Sequence, residues 1–232
     1  MTERPSPASR GRIAPRPRLY LVTPPLGDPA AFAAELAAAL EAGDIAAVLL
    51  RLEPSDERTL VNRAKTVAAV VQRHDVALVL DGHPEIAIRA GADGAHLTGI
   101  DALTEAIGSL KPDRIAGAGG LRSRHDAMLA GEAAADYVIF GEPPAPYPPP
   151  QAGEDRRPPF AAVEERVAWW AEVFEQPCVG YAASLDEVAP LARAGADFVA
   201  LGDWIWTHPQ GPVAAVHIAA EQIASAAAGA DR

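Results

Sequence analysis

From Leu19 onward, apolar residues fall in short unbroken runs separated by Ala-rich stretches of helical period. The runs predict strands at 19–23 (LYLVT), 45–51 (IAAVLLR), 76–81 (VALVLD), 93–97 (DGAHL), 113–118 (DRIAGA), 136–141 (DYVIFG), 177–181 (PCVGY) and 197–202 (DFVALG). A strand that is apolar throughout, rather than alternating, belongs to a parallel sheet covered on both faces. Between the runs, apolar residues recur at three- and four-residue spacing, which predicts helices over 29–42, 56–74, 84–90, 101–110, 123–133, 161–175, 184–194 and 212–228. A small repeat marks the junctions: AGD at 42–44, AGAD at 90–93, AAAD at 133–136 and AGAD at 194–197. A glycine that closes a helix in the left-handed conformation and hands the chain to a strand explains this pattern. Eight strands alternating with eight helices predict a single (β/α)₈ TIM barrel over residues 18–228. A doubly wound open sheet is the competing α/β architecture. It would need a glycine fingerprint in its first turn, and none follows Leu19–Thr23.

Two segments break the rhythm. Residues 1–17 carry four prolines and four arginines with almost no large apolar residue, and read as a disordered tail. They contain no apolar core of a secretory signal. Residues 142–160 hold eight prolines in 19 positions, so this insertion carries no long helix or strand. It follows the sixth strand, where it reads either as a mobile insertion or as a lid over the active-site face.

Composition narrows the function. With 20 basic and 31 acidic residues among 232, the net charge of −11 argues against binding a nucleic-acid backbone. No apolar run approaches the ~20 residues of a membrane span. The single Cys178 excludes an intrachain disulfide and a cysteine metal cluster, and fits a reducing, cytoplasmic setting. Lys65 and Lys111 are the only lysines, so 18 of the 20 basic residues are arginine.

In a barrel of this kind, chemistry gathers at the C-terminal strand ends. Arg51 closes an apolar strand and suits bidentate binding of a phosphate or carboxylate; pairing with Glu53 is its structural alternative. Asp81 closes the third strand and Asp101 follows the fourth. Two such carboxylates can hold Mg²⁺, or can cap the helices they precede. Gly119 and Gly120 could let backbone N–H groups approach an anion. His96 reads as a buried structural histidine, and Trp204 and Trp206 as packing residues. No Ser–His–Asp order, HExxH or Walker loop is present.

Together LYLVT at 19–23, VLLR at 48–51, VLDGHPEIAIRAGADGAHLTGID at 79–101, AADYVIFG at 134–141 and ARAGADFVALG at 192–202 resemble the thiamine-phosphate synthase and thiazole tautomerase superfamily over residues 18–206. The resemblance implies a transferase that joins hydroxymethylpyrimidine diphosphate to a thiazole phosphate and releases diphosphate. It implies Mg²⁺ on Asp81 and Asp101, diphosphate on Arg51, and substrate contacts at Gly120, Tyr181 and Gly202. The partners it implies are small phosphorylated substrates; it points to no individual catalytic residue and sets no oligomeric state.

The chain departs from the family at ligand-contacting positions. Leu49 stands for a glutamine, Glu53 for a lysine, Leu80 for an asparagine and Gly120 for a serine. EPPAPYPPP replaces a Thr-x-Thr-Lys run, Tyr181-Ala182 a glycine pair, and Gly202-Asp203 a Val-Ser pair. At ~1.5–3 kcal/mol per charge-assisted hydrogen bond, such losses imply reduced or altered activity. Arg156 or Arg157 could fold back to replace the missing lysine. A non-catalytic barrel that binds a phosphorylated ligand or a partner is the alternative, and a thiazole tautomerase a weaker one.

Overall fold

Local chemistry starts the helices where the sequence places them. Asp28 accepts from the backbone N–H of Ala30 (3.1 Å) to open α1 (Pro29–Glu41), and Asp56 accepts from Thr59 N–H (3.0 Å) to open α2 (Glu57–Val71). Ser123 and Asp126 form a reciprocal capping box at α5 (Arg124–Glu132). The remaining helices are α3 (Pro84–Ala90), α4 (Ile100–Leu110), α6 (Phe160–Val173), α7 (Val188–Arg193) and α8 (Gly211–Ala230). The structure, a computed structural model, describes residues 16–142 and 157–230. Most of the expected tail (1–15) and the core of the Pro-rich insertion (143–156) lie outside the described residues.

The strands are β1 (Arg18–Val22), β2 (Ile45–Leu50), β3 (Ala77–Asp81), β4 (Gly94–Thr98), β5 (Ile115–Gly119), β6 (Tyr137–Phe140), β7 (Cys178–Ala182) and β8 (Phe198–Leu201). All pair in parallel, in chain order, and β8 returns to β1 to close the barrel. Alternation along each strand sorts the side chains. Leu19, Leu21, Val48 and Leu50 pack outward under the helices, whereas Tyr20, Val22, Leu49, Tyr137 and Tyr181 fill the barrel. The two glycines of β5 make room inside. A Cβ on Gly117 would strike the Tyr137 ring, and one on Gly119 would strike His96 and the Glu142 carboxylate.

The repeated junctions do more than the glycine argument anticipates. Gly91 and Gly195 are left-handed (φ 74° and 95°), but Gly43 is not, and at 133–136 the left-handed residue is Ala134 (φ 62°). The constant element is the aspartate. Asp93 accepts from Leu78 N–H (2.7 Å), Asp136 from Ala116 N–H (2.7 Å) and Asp197 from Cys178 N–H (2.8 Å), while Asp44 pairs with Arg18 (2.8 Å). Each carboxylate ties the start of one strand to the start of its predecessor, on the face opposite the candidate site.

Candidate functional site

The polar residues that end the strands gather at the C-terminal mouth. Arg51 follows β2 directly and is only 7% exposed despite its charge. Its backbone N–H donates to Thr23 Oγ1 (3.0 Å), its Nε donates to Thr23 O (2.6 Å), and its terminal nitrogen pairs with the half-exposed Asp203 carboxylate. The alternative pairing with Glu53 is not formed. The Glu53 carboxylate lies against Gly27, and its carbonyl accepts from Arg63 (3.0 Å).

Asp81 ends β3, and its side chain caps nothing; the N-cap of α3 is His83. Burial pushes its carboxyl up to about 6, with Arg51 pulling the other way. Asp101 is exposed in the first turn of α4, whose N-cap is Gly99, so it is not the capping residue either. The groups that feel the Asp81 charge are Tyr20, Tyr137 and Glu142.

Gly120, left-handed at φ 64°, donates its N–H to the Glu142 carboxylate. Burial, with Asp81 adding to it, raises the Glu142 carboxyl to about 7 against the pull of the Gly120 N–H and of Arg157. Beneath Glu142 runs a buried polar chain. Tyr20 and Tyr137 share a hydrogen bond between hydroxyls (2.9 Å), and Tyr137 OH meets His96 Nδ1 (3.1 Å) with the two rings stacked. His96 is 2% exposed, and burial drives its imidazole down to about 4. The expectation of a buried structural histidine therefore describes its Nδ1 side, while its Nε2 lies over Gly119 beside Glu142.

On the β7 side, Arg157 occupies the mouth, but as a clamp. It donates to Gly141 O (2.5 Å) and Tyr181 O (2.7 Å), and forks onto both Glu187 oxygens (2.8 Å each). Glu187 also accepts from Ala183 N–H (2.7 Å). Arg156 lies outside the described residues. The Tyr181 hydroxyl crowds Gly202, where a Cβ would collide with it, and burial with the nearby Asp203 pushes its phenol up to about 12. Trp204 and Trp206 donate to Ala182 O (3.0 Å) and Val22 O (2.7 Å) and pack on the core, as expected.

The mouth thus brings together Arg51, Asp203, Tyr181 and Gly202 on one side, and Asp81, Gly120, Glu142 and His96 on the other. Glu142, Tyr20 and Tyr137 were not singled out by sequence reasoning. The signal that could have found them is the Gly-x-Gly of β5, which leaves space for large polar partners.

A family model described as thiamine monophosphate synthase matches residues 19–205. The thiamine-phosphate synthase of Rhodospirillum centenum is 44% identical over 201 residues, covering 86% of this chain and 94% of that protein. The Hyphomonas neptunium thiamine-phosphate synthase is 39% identical over 209 residues, covering 87% and 91%. Among solved structures, thiamine phosphate pyrophosphorylase from Pyrococcus furiosus superposes with a TM-score of 0.71 at 19% identity, over 93% of this chain and 99% of that one, which speaks for the barrel fold. With the barrel and these matches agreeing, the chain belongs to the thiamine monophosphate synthase family.

Proposed function

We propose that the chain is a thiamine-phosphate synthase-type transferase whose substrates meet at the C-terminal mouth of the barrel. The observation that carries this reading is Arg51, a buried guanidinium fixed by Thr23 beside Asp81. In the reaction, the C–O bond between the pyrimidine methylene and diphosphate breaks, and its electron pair leaves with diphosphate. The lone pair of the thiazole nitrogen then forms the new C–N bond. No proton is transferred in either step, so stabilising the leaving charge matters more than a general base. Arg51 supports that role through fixed N–H donors.

Asp81 and Asp101 offer the hard oxygen donors that Mg²⁺ prefers, and the cation would take its other ligands from water and diphosphate. No group of three His, Cys, Asp or Glu side chains that could hold a metal converges among the described residues. When bound, Mg²⁺ supplies positive charge to the leaving diphosphate.

Two departures from the family pattern are milder than their charges imply. Glu53 turns away toward Gly27, and Asp203 spends its charge on Arg51. The absent lysines are not replaced by Arg157, whose donors serve Glu187 and two carbonyls. Turnover below that of family members with both lysines follows.

Incubation with Mg²⁺ and both substrates should release diphosphate and form thiamine phosphate. Arg51→Ala should lower kcat/KM by at least ~100-fold, corresponding to the loss of charge-assisted bonds of about 3 kcal/mol. Binding of the diphosphate substrate without any product would instead make this a binding-only barrel.

A further inference from the structure

Two N–H groups lie beside one of the chain's own carboxylates at the mouth. Gly120 N–H is the first donor, and Glu142 already accepts from it. His96 supplies the second, and its identity follows from counting protons. The Tyr20 hydroxyl is buried, and Tyr137 is its hydrogen-bond partner among the described residues. A buried O–H that left its proton unshared would carry a cost of about 1–3 kcal/mol, so Tyr20 donates to Tyr137. Tyr137 must then donate its own proton to His96 Nδ1. A neutral imidazole that accepts at Nδ1 carries its hydrogen on Nε2. The Nε2 of this buried side chain has no hydrogen-bond partner among the described residues, and it meets Glu142 Oε1 over the bare face of Gly119.

Gly120 N–H already donates to the Glu142 carboxylate and His96 Nε2 lies beside the same oxygen over Gly119; an oxygen of a phosphate group in that place could accept from both. We infer that the Glu142 carboxyl group is a built-in competitor at the substrate site, holding the place of a phosphate oxygen and yielding it when an anionic ligand enters. Tyr20 and Tyr137 are positioning residues in this arrangement, acting through His96. The inference rests on the proposed transferase reading for the identity of the anion, a diphosphate; the donor geometry itself does not depend on it. Glu142 thereby sets a threshold. A ligand must outcompete an internal carboxylate, which a diphosphate does more readily than a neutral heterocycle.

The test uses the full chain and inorganic pyrophosphate with Mg²⁺ as the probe. Glu142→Gln keeps the shape and removes the charge, and Glu142→Ala removes both; thermal melting checks that each is folded. Calorimetry should show each folded variant binding pyrophosphate at least about fivefold more tightly than the wild type. Nitrogen NMR should show His96 protonated on Nε2, with its signal and that of the Gly120 amide shifting on pyrophosphate addition. Unchanged or weaker pyrophosphate binding in both variants would overturn the inference, as would an Nδ1–H tautomer. If product forms from both family substrates while neither variant binds more tightly, the transferase reading stands and this inference falls. If no protein binds pyrophosphate and no product forms, both fall.

Discussion

His96, Asp81 and Glu142 are held away from their ordinary protonation behaviour by the same burial, but with opposite consequences for stability. Burial pushes the His96 imidazole down to about 4 in the folded chain, from its usual 6.5. Between those values the unfolded state binds the extra proton, so the histidine weakens the fold as pH falls from 6.5 to 4. Asp81, raised to about 6, and Glu142, raised to about 7, bind protons first in the folded state and act in the other direction. Comparing wild type with His96→Asn isolates the histidine. The stability advantage of the wild type should shrink on acidification through that window, by up to about 1.4 kcal/mol per pH unit at the steepest. Urea unfolding at pH 7, 6, 5 and 4 measures it, and an advantage independent of pH would contradict the buried neutral imidazole. Arg51 and Asp81 were legible in the sequence because each is a lone charged residue closing an apolar run. Glu142 and Tyr20 were not. What Glu142 touches depends on Gly120, 22 positions away, and what Tyr20 touches on Tyr137, 117 positions away.

Among the elements, the strand–helix alternation was readable almost to the residue, because each junction carries its own punctuation. The exceptions have local causes. The helix expected over 56–74 tightens into a 3₁₀ turn at Gln72–His74 before the left-handed Asp75 (φ 57°). The one expected over 184–194 opens with a 3₁₀ turn at Leu185–Glu187, where Glu187 bends back to Ala183 N–H and Arg157. The repeated aspartates were visible as a motif, but their role was not, since it links strands about twenty residues apart. Asp197→Ala strips the acceptor from Cys178 N–H at the start of β7. It should cost about 1–2 kcal/mol in urea unfolding, because a partly buried donor is left unpaired. A cost below about 0.3 kcal/mol would mean that water replaces the carboxylate and that the repeat is not a strand tie.

At the level of the whole molecule, the barrel mouth is asymmetric. On the β7–β8 side the charges satisfy one another: Arg157 is forked onto Glu187, and Tyr181 crowds Gly202. Where β2 and β3 end, Thr23 fixes Arg51, the half-exposed Asp203 reaches over from the end of β8 to pair with it, and the Asp81 carboxyl caps no helix. The proposed transferase reading assigns the Mg²⁺–diphosphate complex to this side and makes the thiazole-phosphate side the weaker half. An acidic chain of net charge −11 makes that local concentration of fixed donors the more necessary.

Calorimetric titration of the wild type and Asp81→Ala with Mg²⁺–pyrophosphate, and separately with thiazole phosphate, tests this division directly. Mg²⁺–pyrophosphate should bind the wild type, Asp81→Ala should weaken it at least about tenfold (~1.4 kcal/mol), and thiazole phosphate alone should bind weakly. Tight thiazole-phosphate binding with no Mg²⁺–pyrophosphate binding would contradict the account and the assignment of Arg51, Asp81 and Asp101 to the diphosphate site.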